Sequence, residues 1–487
     1  MQEKLERPGK NFTSAQDGSG AAPRPAVRRH FVAPPALACA AWAVVLGKAR
    51  GGFGDMGSMA EPGDLGAAQN ASPARIELCR ACGSRSLTQV LDLGALPLAN
   101  ALYPSREAAL AAEIYPLEVM HCGDCGLAQL SFSPPPSALF DDYPYLSSVS
   151  QSFVAHAQAL VERLCPALSL GRDSRVIEVA SNDGYLLQHY RPFGVPVLGI
   201  EPARNVAEIA ERERGIPTRV AYFGSDLARS LVAEGLQADV IHANNVMAHV
   251  PDINGFAAGL ATLLKPQGLA VVEVPYLGAL IAQVAFDTVY HEHVFYFSLG
   301  ALEALLDRHG LRLIDVERLE VHGGSLRLFI AKAGAEVPWD PTGTTRVADL
   351  RSEEHDKGTV GPAALQRLAE DVGRIRHDLT HLLGELRDGG ARIAAYGAAA
   401  KGSTLLNACG LGAEAIDFVV DRNPLKQGLY MAGTGLPVHA AEHLRAEQPD
   451  YALLLVWNFA ADVMEQQAAF REAGGRFILP VPRPCIA

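Results

Sequence analysis

The chain lacks what a polyanion binder, a disulfide scaffold or a membrane span would need. Charged residues fill only 20% of 487 positions, and acids outnumber bases 54 to 42 for a formal charge of −12. Nucleic-acid surfaces need clustered Lys and Arg to meet phosphates, so that partner is not expected, although one basic pocket for a diphosphate still fits. The eight cysteines are too sparse for a disulfide framework. Four fall in two pairs and Cys39, Cys165, Cys409 and Cys485 are scattered, which suits a reducing, cytoplasmic compartment. Long apolar runs are missing as well. The stretch Phe31–Gly47 follows Arg28-Arg29-His30 like a signal-peptide core, but its 17 residues are interrupted by Pro34 and Pro35. That makes a poor spanning helix, and no membrane partner is expected. Gly, Ala, Ser and Pro dominate its flanks, so residues 1–72 read as a disordered or over-extended start, with Met56 and Met59 as alternative first residues. What remains is ample core material, 49% hydrophobic, for roughly three domains of about 150 residues.

After Ser72 the text changes. Cys79-Arg-Ala-Cys82 and Cys122-Gly-Asp-Cys125 are two Cys-x-x-Cys knuckles separated by 39 residues, each with a glycine (Gly83, Gly126) behind its second cysteine. Glycine lets the backbone curl so that its amides face sulfur, which suits tetrahedral thiolate coordination. Cys79, Cys82, Cys122 and Cys125 would close the sphere around Zn²⁺, leave no place for water, and make the metal structural. Pro134-Pro135-Pro136 then marks a linker.

Beyond a helical segment from about Ser152 to Cys165, short apolar strands alternate with helices. Strands are expected at Arg175–Ala180, Val197–Pro202, Thr218–Phe223, Ala238–Asn244 and Gly268–Pro275, with helices at Asn205–Arg214 and Phe256–Leu264. Such alternation calls for a parallel, doubly wound sheet. Leu311–Val321 and Ser325–Lys332, separated by His322-Gly323-Gly324, predict an antiparallel hairpin. Apolar residues at Leu368, Val372, Ile375, Leu379, Leu382 and Leu386 predict an amphipathic helix docked between domains and closed by Gly389-Gly390. Arg392–Gly397 opens a further α/β unit, with strands at Ala415–Asp421, Tyr451–Trp457 and Arg476–Val481.

The usual Gly-x-Gly-x-x-Gly is absent. The first strand carries Glu178 and runs into Ser181-Asn182-Asp183-Gly184, and the second ends in Glu201, where a carboxylate could grip a ribose diol. With no diphosphate cradle in the turn, a ligand with ribose but no phosphates fits, and S-adenosyl-L-methionine is the obvious one. Leu264-Lys-Pro-Gln-Gly268 and the terminal hairpin complete the pattern of a class I methyltransferase. The candidate cofactor residues are Glu178, Asn182, Asp183, Gly184, Glu201 and Asn245. In the last unit, Tyr396-Gly397-Ala-Ala-Ala-Lys401-Gly402-Ser403 should open a helix whose amides, with Lys401 beside them, suit a diphosphate. Asp421 could take a ribose hydroxyl. Asn407 and Trp457-Asn458 are weaker candidates for the same pocket. Alternatively the glycines and alanines only allow close helix–strand packing.

Soon after the fifth strand, Tyr290-His291-Glu292-His293 places a phenol, a carboxyl and two imidazoles in a row. Loops after strand ends carry chemistry in such sheets, and these groups suit proton transfer, although metal ligands or merely polar loop residues would also fit.

Together, Cys79-x-x-Cys82, Leu93-Gly-Ala-Leu-Pro-Leu-Ala-Asn100, Cys122-x-x-Cys125, Glu178-Val-Ala-Ser-Asn-Asp-Gly184, Tyr290-His-Glu-His-Val-Phe-Tyr-Phe-Ser298, His322-Gly-Gly-Ser-Leu-Arg327 and Tyr396-Gly-Ala-Ala-Ala-Lys-Gly402 stand in a specific order. From about Ile76 to its end the chain resembles the sugar C-methyltransferases that act on nucleotide-diphosphate 4-keto-deoxysugars. The resemblance implies a Rossmann-like class I methyltransferase core (138–335) flanked by a small zinc module (73–137) and, after a helical linker (336–390), a Rossmann-like nucleotide-sugar domain (391–487). It implies that His293 removes the acidic hydrogen beside the sugar's C4 ketone and the enolate carbon takes a methyl group. Glu292 and Tyr290 would orient the base or stabilise the enolate, and Tyr145 would be a further proton-transfer group. Tyr396, Lys401, Gly402, Asn407 and Asp421 would seat the nucleotide sugar, and a monomer suits three mutually packed domains. The competing expectation is an O-methyltransferase in which His293 deprotonates a hydroxyl of a sugar or other small metabolite.

Overall fold

A computed structural model of the chain describes residues 75–135, 139, 146–320 and 323–487. The N-terminal extension, Tyr145 and His322 lie outside them. The first knuckle leads into β1 (Leu87–Pro97), β2 (Leu102–Tyr103), β3 (Ile114–Cys122) and β4 (Ala128–Leu130). β1, β3 and β4 pair antiparallel, so that the strand ending in Cys122 also positions the second knuckle.

The central segment supplies β5 (Val176–Val179), β6 (Val197–Ile200), β7 (Thr218–Arg219), β8 (Ala238–Asn244), β9 (Leu264–Pro275), β10 (Phe295–Tyr296), β11 (Leu311–Leu319) and β12 (Ser325–Lys332). Seven of these form a sheet in the order β11-β12-β9-β8-β5-β6-β7, parallel from β7 to β9 and antiparallel on both sides of β12. All four residues of β5 are buried, as expected for a parallel strand covered on both faces. Two of the boundaries that depart from expectation lie in this sheet. β7 stops at Arg219, and Tyr222 and Phe223 line a cavity instead of continuing the strand. Leu264–Gly268, expected just before the fifth strand, is the start of β9.

The helices Gly343–Asp356 and Pro362–Asp388 follow. On the long helix the buried stripe runs Leu365, Leu368, Val372, Ile375, Leu379 and Leu383, leaving Leu382 and Leu386 half-buried. The stripe turns with the 3.6-residue period and leaves the expected line at its end. The last unit contains β13 (Ile393–Tyr396), β14 (Val419–Asp421), β15 (Tyr430–Met431), β16 (Val438–Ala440), β17 (Tyr451–Leu454), β18 (Arg476–Leu479) and β19 (Cys485–Ile486). Its sheet order is β16-β14-β13-β17-β18-β19.

These segments share sheets and cores. β10 pairs with β4 of the cysteine-bearing sheet, and β15 pairs with β2. One core joins Cys79, Cys122 and Leu127 to Ile241 and Phe256, and another joins Leu91 and Leu117 to Leu368, Ile375 and Ile393. Both large sheets have a topological switch point, between β5 and β8 and between β13 and β17, where open α/β sheets bind ligands. Among the described residues no helix is long and apolar enough to cross a membrane.

Candidate active site

The four cysteines of the knuckles come together, with all four sulfurs within 4.8 Å of one another. Cys79 and Cys125 are 3.6 Å apart, and Cys82 and Cys122 are 3.5 Å apart. Thiolates about 2.3 Å from zinc span tetrahedron edges of about 3.8 Å, so the donor set fits that ion. Gly83 and Gly126 both have φ of +72° and donate their N–H groups to the Cys79 and Cys122 carbonyls, closing the knuckles. The Cys125 thiol beside it brings Cys79 down to about 4, and the Gln129 amide donates to its sulfur at 3.1 Å. Four thiolates leave no open position, which makes this zinc structural.

One cavity of ≈ 1580 Å³ receives residues from all three segments. At the β5/β8 switch point, Asn182 and Asn245 have left-handed backbone (φ +48° and +54°) and line it. Glu201, at the end of β6, also lines it, and its carboxylate accepts the backbone N–H groups of Asn182 at 2.9 Å and Ala203 at 3.0 Å. Burial raises the Glu201 pKa and those two N–H groups oppose the shift. A carboxylate held this way retains lone pairs for ribose hydroxyls, so the wall fits the adenosyl cofactor. Three of the expected cofactor residues are elsewhere. Glu178 is buried off the cavity wall beside Glu201, Asp183 and Glu273, and burial drives its pKa well up. Asp183 also lies off the wall, facing Arg214 at 3.4 Å. Gly184 (φ +77°) serves a close approach, since an added Cβ would meet Ile216 at 2.9 Å.

The Tyr-His-Glu-His run divides in two. His291 is buried off the wall with Nε2 3.2 Å from the Tyr115 carbonyl, a structural contact with the cysteine-bearing sheet. Tyr290, Glu292 and His293 line the cavity. His293 Nδ1 lies 2.9 Å from the Thr288 carbonyl, which can only accept, so Nδ1 carries the proton and Nε2 presents its lone pair. The Tyr290 hydroxyl meets that Nε2 at 3.0 Å. Thr288, rather than Glu292, therefore orients the imidazole. The Glu292 carboxyl is buried and raised in pKa, and it accepts from the Asn100 amide at 2.6 Å.

At the β13/β17 switch point, Lys401 and Trp457 line the same cavity. The Lys401 ammonium lies 5.1 Å from the Trp457 ring centroid and has no hydrogen-bond acceptor among the described residues. Burial lowers its pKa while Asp287 raises it. The helix Ala400–Cys409 has no side-chain cap, so its first amides also lack a capping acceptor. The other expected substrate residues serve the scaffold. Gly402 permits close packing, because a Cβ would meet Leu455 at 2.7 Å. Tyr396 is buried in the core with Phe418, Val420 and Leu454. Asp421 accepts the backbone N–H groups of Ala398 and Asn423, each at 2.7 Å. Asn407 donates to the Ser403 and Ala432 carbonyls. None of these four lines the cavity.

Besides Thr288, sequence reasoning missed three residues. Asn100 reaches Glu292 from the cysteine-bearing segment. His249 stacks edge-on to His293 at 4.9 Å, with burial lowering its pKa to about 4. Asp287 is fully buried, accepts the Trp457 indole N–H at 2.6 Å, and is pushed up to about 6 by burial. Asn100 alone fell within a motif already singled out; the others carry no local pattern.

The β7-β6-β5-β8-β9-β12-β11 sheet with its acidic β6 end defines a class I, S-adenosyl-L-methionine-dependent methyltransferase. Family models agree segment by segment: "Putative zinc binding domain" matches residues 79–140, "Methyltransferase domain" 152–316, and "C-methyltransferase C-terminal domain" 320–482. The C-methyltransferase NovU of Streptomyces niveus is 37% identical over 409 residues, 84% of this chain and 96% of its own length. The chain belongs to this C-methyltransferase family. A ubiquinone biosynthesis O-methyltransferase of Bartonella tribocorum is 28% identical over 98 residues, 20% of this chain and 40% of its own. Among solved structures, an S-adenosylmethionine-dependent methyltransferase from Clostridium acetobutylicum is 12% identical with a TM-score of 0.31, over 37% of this chain and 92% of its own.

Proposed function

We propose that the enzyme C-methylates a nucleotide-diphosphate 4-keto-deoxysugar through an enolate, with His293 as the base. The single observation that carries this is the His293 imidazole: its Nδ1 proton is tied to the Thr288 carbonyl, and its Nε2 lone pair accepts from the Tyr290 hydroxyl on the wall of the cavity shared by both switch points. Nε2 takes a proton from the carbon beside the ketone, and the electron pair left behind is delocalised onto the ketone oxygen. The Tyr290 hydroxyl turns from Nε2 to that oxygen as the carbon's proton takes its place, and Glu292, whose pKa burial raises, is placed to share a proton with the same oxygen. S-adenosyl-L-methionine, held by Asn182, Glu201 and Asn245, supplies a methyl group on a sulfonium. When bound, it would offer that methyl to the enolate carbon, with the carbon–sulfur electron pair leaving on sulfur, and His293 keeps the proton. Lys401 and the uncapped start of its helix hold the diphosphate, which places the keto sugar between the two seats.

Solvent deuterium should wash into the carbon beside the ketone when the enzyme meets the nucleotide-linked keto sugar without methyl donor. Methylation without such exchange, with the new methyl on oxygen by mass spectrometry, would replace this reading with O-methylation. A panel of nucleotide-linked keto sugars then identifies the substrate.

A further inference from the structure

Asp287 takes no part in the steps above, yet it stands between the two halves of the site. It belongs to the short turn Phe286–Thr288, against which the helix Ala400–Cys409 packs. Its Oδ2 accepts the Trp457 indole N–H at 2.6 Å, and its Oδ1 has no hydrogen-bond partner among the described residues. Trp457 is the ring beside the Lys401 ammonium. The next residue, Thr288, offers the carbonyl that holds His293 Nδ1 at 2.9 Å. The Lys401 charge offsets part of the cost of burying this carboxyl, and its one oxygen without a partner among the described residues remains a cost that an apolar side chain would not carry.

We propose that Asp287 is a positioning residue joining the anion seat to the base loop, so that an anionic substrate held at Lys401 and Trp457 fixes the orientation of the His293 imidazole. The link runs from the Lys401 ammonium to the Trp457 ring, through its indole N–H to the Asp287 carboxylate, and through the adjoining Thr288 carbonyl to Nδ1. An anion on Lys401 settles beside the ring that Asp287 grips. The ring, the turn and the imidazole are thereby ordered together. This rests on the reading of His293 as base and Lys401 as diphosphate ligand.

The experiment compares full-length, zinc-loaded wild type with Trp457→Phe, Asp287→Ala and Asp287→Asn. Each is assayed on the nucleoside-diphosphate keto sugar and on the same keto sugar without the diphosphate, with deuterium wash-in and thymidine diphosphate calorimetry alongside. Wild type should show a higher saturating kcat on the diphosphate substrate. In Trp457→Phe and Asp287→Ala that kcat advantage should shrink about tenfold, the scale of one lost hydrogen bond to a charged group, while in Asp287→Ala thymidine diphosphate affinity changes less than about threefold. Asp287→Asn still accepts the indole N–H and should keep the advantage. A loss confined to KM, or Asn no better than Ala, overturns the link. If Asp287→Ala does not fold, Trp457→Phe against wild type decides. Unchanged kcat with wash-in intact overturns the link alone, whereas wild type without wash-in removes the base reading and the link together.

Discussion

The two parallel sheets solve the same geometric problem with opposite chemistry. Each turns the carboxyl ends of its strands toward one cavity at a point where strand order reverses. In the methyltransferase sheet that point offers Glu201, a carboxylate braced by two backbone N–H groups, and two asparagines in left-handed turns. In the C-terminal sheet it offers Lys401, an ammonium with no acceptor among the described residues, beside an indole face and a helix start without a side-chain cap. Hydroxyl hydrogens suit the first and anionic oxygens the second. The difference shows how one architecture can seat two unlike reactants: the fold sets where a ligand lies, and the few side chains at the switch point decide its charge. His293 stands on a loop belonging to neither sheet's switch point.

The sharpest test of that division removes the base and leaves both seats. His293→Ala should cut kcat by about 10²–10⁴ while the affinities for S-adenosylmethionine and thymidine diphosphate stay within about twofold by calorimetry. Equal loss of turnover and cofactor affinity would move His293 into the cofactor seat. A pair of variants then breaks the comparison from either side. Lys401→Ala should weaken thymidine diphosphate by about 10–100-fold, one charge-assisted contact, and leave S-adenosylmethionine unaffected. Glu201→Gln should weaken S-adenosylmethionine by about tenfold and leave thymidine diphosphate unaffected. If either variant impaired both ligands alike, the seats would not be separate.

How much of this could be read beforehand followed from the range of the interactions. The Cys-x-x-Cys pairs, each with its glycine, are local patterns that meet in space because β1 and β3 place the two knuckles side by side. Strand–helix alternation likewise gave away the doubly wound core, and the short Gly-Gly connection gave away the terminal hairpin. The division of labour inside each motif was not legible. Within Glu178–Gly184 and Tyr396–Gly402 only the folded arrangement puts the polar groups of Asn182 and Lys401 on the cavity wall and leaves Glu178, Asp183 and Tyr396 off it. In Glu178 and Glu201 the same side chain ends up off the wall in one case and on it in the other, because every residue of β5 is covered. Asn100, His249 and Asp287 act through partners 192, 44 and 170 positions away, and no local period reports such contacts.

The smallest effect should come from Asn100, where the cysteine-bearing sheet reaches the chemistry of the other two. Burial raises the Glu292 pKa, and the Asn100 amide, donating at 2.6 Å, opposes that rise. Removing the donor in Asn100→Ala should therefore push the Glu292 pKa higher still. If Glu292 acts as the acid on the enolate oxygen, activity declines as pH rises through its pKa. That limb of the kcat profile should then move to higher pH by about half a unit to one unit, the equivalent of one hydrogen bond. If the ascending limb is the one that moves to higher pH, Glu292 works as its carboxylate. A profile lowered uniformly with no displacement would reduce Asn100 to holding β1 and the base loop together. In the expected case the zinc-bearing segment tunes the acid, and the division between a hydroxyl-gripping seat and an anion-gripping seat gains a third contributor that binds neither ligand.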